Sequence, residues 1–445
     1  MNEKKWGIIL LLIAGVIIGM VLEVESCEDC ADDRIVQLFQ KYIQINTTTY
    51  NDMTPGVNFW KSLAAQENLP FQVHELSPGY PIIVIEWTGS DPVLSSIMLN
   101  SHMDVVPANE EDGWKYPPFS GYIDENGNIY GRGTQDMKSV SLQYFEALRR
   151  LRAQGVQLLR TIYMTIMPDE EVGAVNGMVP FLESEAFKAL NVGFELDEGT
   201  SYPVPMTLVF YQDKVVWQIQ VDCYGVAAHG STFPETNSTA TGKCRNVINR
   251  LLEYRDEEYE IYSTAPMTDA GIYTSVNLNI ISGGTASNVI PAHVSLVIDI
   301  RLGTIVNEDK LQAKLEQWIT EAGDNITLTY LLKGKQSPAT IVDDSNPYWR
   351  AINTAAQRAN EPLLPLIPPG STDARFVRIA GIPAFGISPM PDTPMLLHSV
   401  DEYINVDTFL KGIEFYKEVV TELGNIPGGD VSEDPSVYLI ATTTE

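Results

Sequence analysis

The 445-residue chain is poor in cysteine and in basic side chains. Four cysteines are too few for a disulfide scaffold of this length. The 29 Lys and Arg residues face 58 Asp and Glu residues, so the formal net charge is -29. This balance argues against binding to nucleic acid or to anionic lipid, since both need a basic surface. With 44% hydrophobic residues, the chain has the composition of a globular protein whose excess charge is mostly solvated.

Long apolar runs are also scarce, and the one that stands out is near the N-terminus. Lys4 and Lys5 precede the apolar residues 6–22, and polar residues follow up to Ser26. This pattern predicts a signal peptide over residues 1–26, or alternatively a membrane anchor through residues 6–22. Triplets of the glycosylation type begin at Asn46, Asn237 and Asn325. We therefore expect a secreted, extracellular glycoprotein rather than a cytosolic one, in which Cys223 and Cys244 can pair.

The order of strand and helix patterns predicts a discontinuous α/β domain. Strands and helices alternate from residue 33 to about residue 211, which favours a mostly parallel central sheet. An inserted segment then follows the order β-α-β-β-α-β. The expected division is a signal segment at 1–26, a catalytic domain at 27–211 and 334–428, a lid and dimerisation domain at 212–333, and an acidic tail at 429–445.

Polar clusters follow several of the predicted strands. They are His102-Met103-Asp104 after Ser96–Asn100, Asp169-Glu170-Glu171 after Thr161–Met167, Asp197-Glu198 after Val192–Leu196, and His398 beyond Ile382–Ile387. Asp136 lies at the start of a helix predicted over Met137–Leu151. Ligands of open α/β sheets bind at the carboxyl ends of strands. We therefore expect these side chains to converge in one crevice.

Two histidines and several carboxylates are the ligand chemistry of zinc, or less commonly of cobalt or manganese. A set of this size suits two metal ions that share a bridging carboxylate. Of the adjacent Glu170 and Glu171, one would bind metal while the other moves protons. Each cluster alone is typical of an ordinary turn, so the prediction depends on their recurrence at successive strand ends. His74 and His293 lack such neighbours, and we expect structural or surface roles for them.

Several segments carry a resemblance to a known family. LNSHMDVV at 99–106, IYGRGTQDMK at 129–138, MPDEEVG at 167–173 and LDEG at 196–199 resemble the zinc-dependent aminoacylase and carboxypeptidase family of metallopeptidases. GISPM at 386–390 and TPMLLHSVDE at 393–402 are similar to its aminoacylase members. The resemblance runs in order from about residue 33 to residue 423. It implies two Zn²⁺ ions per subunit, with Co²⁺ or Mn²⁺ as possible substitutes.

The resemblance also implies a role for each residue of the site. The metal ligands would be His102 and Glu198 on one ion, Glu171 and His398 on the other, and Asp136 as the bridge. Glu170 would be the general base, and Asp104 would orient the His102 ring. His229, in the lid, would act across the interface of a homodimer. Asn288 and Arg301 would contact substrate, and Arg375 would bind its carboxylate unless Arg378 does so.

The activity implied is hydrolysis of an N-acyl-L-amino acid to a carboxylate and a free L-amino acid. Glu170 would take a proton from the attacking water and later deliver it to the leaving amine. A dipeptidase, a carboxypeptidase or a long-chain N-acyl-amino-acid hydrolase of the same family are alternatives. An inactive secreted binding protein is a more remote alternative. All of these enzymes would act on a small molecule, and we expect no nucleic-acid partner.

Overall fold

The computed structural model describes residues 28–440. The predicted signal segment at 1–26 lies outside the described residues, as do residues 441–445. Across the described range, no helix combines the length and apolar character needed to cross a membrane.

The described chain alternates helices and strands along most of its length. The helices are α1 Glu28–Ile43, α2 Thr54–Gln66, α3 Lys138–Ala153, α4 Met178–Glu183, α5 Glu185–Ala189, α6 Ala240–Thr264, α7 Glu308–Ala322, α8 Pro347–Ala359, α9 Ala374–Ile379 and α10 Val406–Gly424. The strands up to the second sheet are β1 Phe71–Ser77, β2 Tyr80–Trp87, β3 Ser96–His102, β4 Tyr122–Ile123, β5 Asn128–Tyr130, β6 Ile162–Met167, β7 Val192–Asp197 and β8 Thr207–Phe210. The remaining strands are β9 Val215–Tyr224, β10 Ala228–His229, β11 Ser275–Gly283, β12 Val289–Ile290, β13 His293–Leu302, β14 Ile326–Lys333, β15 Ala339–Thr340, β16 Leu363–Leu366, β17 Ala384–Ile387, β18 Tyr403–Asn405 and β19 Leu439–Ile440.

An eight-stranded sheet in the order β1-β2-β6-β3-β7-β17-β8-β16 forms the centre of the molecule. Strand β3 is parallel to β6 and β7, β17 is parallel to β7, and β16 is parallel to β8. Every residue of β3 and β7 is buried, because helices cover both faces of the sheet. The prediction of a mixed α/β fold with a mostly parallel central sheet is therefore confirmed.

A second, smaller sheet lies between β8 and β15 in the chain. It has the antiparallel order β11-β13-β9-β14 and packs its apolar face, including Trp217 and Leu296, against α6 and α7. Along β9, buried residues alternate with half-buried ones, as expected for a sheet covered on one face. A disulfide joins Cys223 on β9 to Cys244 on α6, which confirms the pairing expected for these two residues.

The chain crosses from the large sheet to the small one through three buried polar residues, Gln212, Asp213 and Lys214. Asp213 pairs with Arg378 of α9 at 2.5 Å. Lys214 donates from Nζ to the carbonyl of Tyr273 at 2.7 Å and lies over the Tyr273 ring. The crossing is thus fixed to both parts of the molecule. Beyond the second sheet, β19 pairs with β15, so the described part of the predicted tail also adds to the fold.

Candidate metal centre and catalytic site

Three predicted ligands meet at the carboxyl ends of β3 and β7. His102 ends β3 and is 1% exposed, and its Nε2 lies 3.1 Å from Asp136 Oδ1 and 3.4 Å from Glu198 Oε2. The Nδ1 of His102 donates to the carbonyl of Asp104 at 2.9 Å. This bond fixes the proton on Nδ1, so the lone pair of Nε2 faces the two carboxylates. A cation between these acceptors would make the arrangement favourable.

A second group shares Asp136 with the first. The Nε2 atom of His398 lies 3.2 Å from Asp136 Oδ2 and 3.0 Å from Glu171 Oε2. The other carboxylate oxygen of Glu171, Oε1, is buried without a hydrogen-bond partner among the described residues. The ligand atoms within each group all lie within 4.8 Å of one another. The structure thus brings the five predicted ligands together, with Asp136 common to both groups.

Asp104 has a wider role than the orientation of one imidazole. Its Oδ1 is 3.4 Å from His102 Nδ1, a longer approach than that of its own carbonyl oxygen. Its Oδ1 and Oδ2 accept hydrogen bonds from the backbone N–H groups of Glu170 and Glu171, at 3.1 and 3.2 Å. Asp104 is fully buried. It therefore positions the loop that carries Glu170 and Glu171, in addition to its contact with His102.

Glu402 is a site residue that the sequence analysis did not single out. It is fully buried, and its Oε2 accepts from Arg132 Nη1 at 2.6 Å. Its Oε1 also accepts from the backbone N–H of Gln135 at 2.7 Å. These bonds hold the GRGTQD loop that presents Asp136. Glu402 is the last residue of the TPMLLHSVDE segment, and its place in that segment is the sequence feature that could have identified it.

The electrostatics of the cluster are those of crowded carboxylates. Burial, with a further contribution from the charge of Asp136, raises the pKa of Glu171 to about 7. Hydrogen bonds to Asp136 and Glu171 raise the pKa of His398 to about 10. Burial and the charge of Asp136 likewise hold the pKa of Glu198 well above its usual range. A divalent cation would lower the pKa of these groups, so its binding would displace protons.

Glu170 lies beside the ligands without joining either group. Burial and the charge of Glu198 keep its pKa well above the usual range. Its Oε1 lies 3.9 Å from Nη1 of Arg375, at the start of α9. The arrangement places a free carboxylate and a cationic side chain next to each other at the edge of the cluster.

The structure separates Arg375 from Arg378, which the sequence left as competitors. Arg378 is 1% exposed and pairs with Asp213. It also donates to the carbonyl oxygens of Phe210 and Ala384. Because its guanidinium is buried and engaged, Arg378 has a structural role, and Arg375 alone faces the cluster.

The predicted lid residues lie apart from the cluster. His229, on β10, and Asn288, just before β12, are both exposed, and the N–H of Gly230 donates to the carbonyl of Asn288 at 2.7 Å. The ring of His229 is hydrogen-bonded to Ser231 Oγ at 2.8 Å. Arg301, on β13, pairs with Asp299 at 2.8 Å. None of the side-chain contacts found among the described residues joins these three to the metal ligands.

The donor set fits a hydrolytic metal centre. Two imidazole nitrogens and three carboxylates suit zinc, and they also accept cobalt or manganese. The unsatisfied Glu171 oxygen and the facing acceptors around His102 Nε2 are what a bound cation would stabilise. These residues can therefore hold a metal ion.

Curated relatives are similar to this chain over most of its length. Rat aminoacylase-1A is 42% identical over 393 residues, covering 88% of this chain and 96% of the relative. Human aminoacylase-1 is 41% identical with the same coverage. Aminoacylase-1 of Dictyostelium discoideum is 36% identical over 405 residues, with coverage of 88% and 98%.

The prediction of a secreted protein is wrong. The relatives that match over 88% of the chain are aminoacylase-1 proteins, and they give no support to an extracellular location. The comparisons give no support to the signal-peptide and glycoprotein predictions either. Two lysines before an apolar run are a weak basis for a location, and three-residue glycosylation patterns also arise by chance.

Solved structures and a family model agree on the fold. Human carnosine dipeptidase 1 superimposes with a TM-score of 0.68 at 17% identity, covering 89% of this chain and 97% of that one. An M20 family metallo-carboxypeptidase from Sulfolobus solfataricus gives a TM-score of 0.72 at 16% identity, with coverage of 88% and 99%. The model of peptidase family M20/M25/M40 matches residues 98–422. With this match and the extended identity to aminoacylase-1, the chain belongs to the M20/M25/M40 family of peptidases.

Proposed function

We propose that the chain is an aminoacylase that hydrolyses N-acyl-L-amino acids to a carboxylate and a free L-amino acid. The observation that carries this proposal is the convergence of His102, Asp136, Glu171, Glu198 and His398 beside a free Glu170. The 42% identity to rat aminoacylase-1A over 88% of the chain supports the choice of this reaction within the family.

The two groups that share Asp136 would hold two zinc ions, one with His102 and Glu198 and one with Glu171 and His398. Cobalt or manganese would be possible substitutes. When bound, the ions would polarise the amide carbonyl and lower the pKa of a water molecule. Five protein ligands in two overlapping groups support this stoichiometry.

The residues around the ions would move the protons and hold the substrate. Glu170 would accept the proton of the attacking water and then deliver it to the leaving amine, so one carboxylate serves as base and acid. Burial favours this role, because it raises the pKa of Glu170 towards the working pH. Arg375, 3.9 Å from Glu170, would bind the α-carboxylate of the substrate.

The active form would be a homodimer in which the smaller sheet contributes to the partner's site. His229 would stabilise the developing oxyanion in the partner, and Asn288 and Arg301 would contact the substrate there. The exposure of His229 and Asn288, away from the metal ligands of their own chain, supports this proposal. It assigns residues 27–211 and 334–428 to the catalytic domain, 212–333 to the lid and dimerisation domain, and 429–445 to an acidic tail.

A substrate panel tests the proposal. Purified protein loaded with zinc is assayed on N-acetyl-L-amino acids and on unblocked dipeptides with the same C-terminal residue. An aminoacylase has the higher kcat/KM on the N-acetyl compounds, because they have no free α-amine that a carboxylate of the enzyme must pair with. A higher kcat/KM on the dipeptides would instead assign the chain to the dipeptidases of this family.

A further inference from the structure

An apolar cavity of about 460 Å³ lies between the two sheets. Its floor is the β8 and β16 edge of the large sheet, where Leu208, Phe210 and Leu366 form a small buried cluster. Its roof is the connection from α6 to β11, which contributes Ala270 and Tyr273. A volume of this size lies within the range of small-molecule sites. We refer to this space as the acyl cavity.

The acyl cavity adjoins the candidate metal centre. Thr200 and Met395 line it, and they lie close in the chain to the ligands Glu198 and His398. Gln135, the neighbour of Asp136, also links the two segments that carry Thr200 and Met395. Its Oε1 accepts from Ser201 Oγ at 2.8 Å and from the N–H of Leu396 at 2.9 Å.

The lining selects an uncharged, apolar group. It contains no Lys, Arg, His, Asp or Glu, so it offers nothing to pair with a carboxylate. At the end nearest the metal ligands, Thr200 Oγ1 is buried and has no hydrogen-bond partner among the described residues. A ligand that is polar near the metal centre and apolar beyond it would complement this distribution.

The absence of Arg375 from the lining indicates which part of the substrate enters. In an N-acyl amino acid, the α-carboxylate and the side chain are attached to the same carbon. With the carboxylate at Arg375, the side chain is held close to that residue, which does not line the cavity. The group directed to the acyl cavity is then the one on the other side of the amide.

We propose that the acyl cavity receives the acyl chain of the substrate, so that apolar acyl groups longer than acetyl are preferred. The proposal rests on the aminoacylase function proposed above. Each buried methylene improves binding by about fourfold at most, from the free energy of transfer out of water. We expect kcat/KM to rise with acyl length until the cavity is full.

The test compares the N-acetyl, N-butanoyl and N-octanoyl derivatives of one L-amino acid. Ala270→Trp fills the roof of the cavity. Thr268→Trp is the matched control, because Thr268 is exposed on the same connection and does not line the cavity. We expect the octanoyl-to-acetyl ratio of kcat/KM to fall at least tenfold in Ala270→Trp and to stay at the wild-type value in Thr268→Trp.

Two results would overturn the assignment. An unchanged ratio in Ala270→Trp would show that the acyl chain lies elsewhere. If Ala270→Trp changes the preference among N-acetyl amino acids with different side chains and leaves the dependence on acyl length unchanged, the cavity binds the amino-acid side chain instead.

A binding measurement separates this proposal from the proposed function. Octanoate and acetate are titrated calorimetrically into zinc-loaded wild-type protein and into both variants. Tighter binding of octanoate that is lost in Ala270→Trp supports the acyl cavity even if no N-acyl amino acid is turned over. If octanoate binds wild type no better than acetate, the proposal fails, whatever the catalytic result.

Discussion

Glu170 is the residue whose change separates chemistry from metal binding. Glu170→Gln keeps the size of the side chain and removes the proton acceptor, so we expect kcat to fall by about 10³-fold, within the range of general-base catalysis. The zinc content measured by atomic absorption should remain that of the wild type, because Glu170 belongs to neither ligand group. Glu125→Gln, at an exposed glutamate, serves as control. Loss of zinc in Glu170→Gln would make this residue a ligand rather than the base.

Glu402 is a positioning residue for the loop of Asp136. Glu402→Gln leaves the buried guanidinium of Arg132 without its charged partner, which costs about 3 kcal/mol of unfolding free energy by the usual range for broken buried pairs. The presentation of Asp136 should also suffer, so zinc affinity should fall. Chemical denaturation and a competitive zinc titration measure the two effects. Wild-type zinc affinity in a folded Glu402→Gln protein would deny Glu402 this role.

The sequence predicts residues that carry ligand chemistry more readily than residues that position them. His102, Glu171 and Glu198 stand out because each follows a buried strand. Glu402 acts by accepting backbone N–H groups across a distance of more than 260 positions in the chain, and that leaves no local pattern. Arg375 and Arg378 share one short helix, and only their burial distinguishes them.

At the scale of elements, the strands before the polar clusters were predicted closely, and the helix predicted over Met137–Leu151 forms as α3. Helix α3 is buried around most of its circumference, including Gln143 and Glu146, because α1 and α10 pack against it. Periodicity in one segment cannot reveal such partners. Helix α6 extends to Thr264, and its last turns lead into the roof of the acyl cavity.

The crossing into the smaller sheet makes a pH-dependent contribution through Lys214. Burial lowers the pKa of Lys214 to about 7, against 10.5 for the free side chain. Between these values the unfolded chain binds more protons, so this residue makes stability rise with pH from about 7 towards 10, by up to about 1.4 kcal/mol per pH unit. Below pH 7 the full cost of the buried charge is present.

Lys214→Met should remove this slope. The measurement is the free energy of unfolding of wild type and variant from pH 6 to pH 9, and the quantity of interest is their difference. We expect the variant's advantage to be largest at pH 6 and to shrink as pH rises. A difference that is constant with pH would show that Lys214 titrates normally in the folded protein.

At the scale of the whole molecule, the central proposal is a site shared between two subunits. His229→Ala and Glu170→Gln should each be nearly inactive as homodimers. After dissociation and reassociation of an equal mixture, half of the dimers are mixed and each has one intact site, so about a quarter of wild-type activity should return by the statistics of a symmetric dimer. Activity after mixing measures this directly. No recovery in dimers shown by mass to be mixed would place His229 within its own subunit's site.

The most direct test of the account is a zinc titration of metal-free protein. The protein is stripped with a chelator, and hydrolysis of an N-acetyl-L-amino acid is followed as zinc is added in known ratio to the chain. The account predicts no hydrolysis before addition and full activity at two zinc ions per chain, since the ligands form two groups that share Asp136. Undiminished hydrolysis by the stripped protein, or none by the zinc-saturated protein, would contradict it.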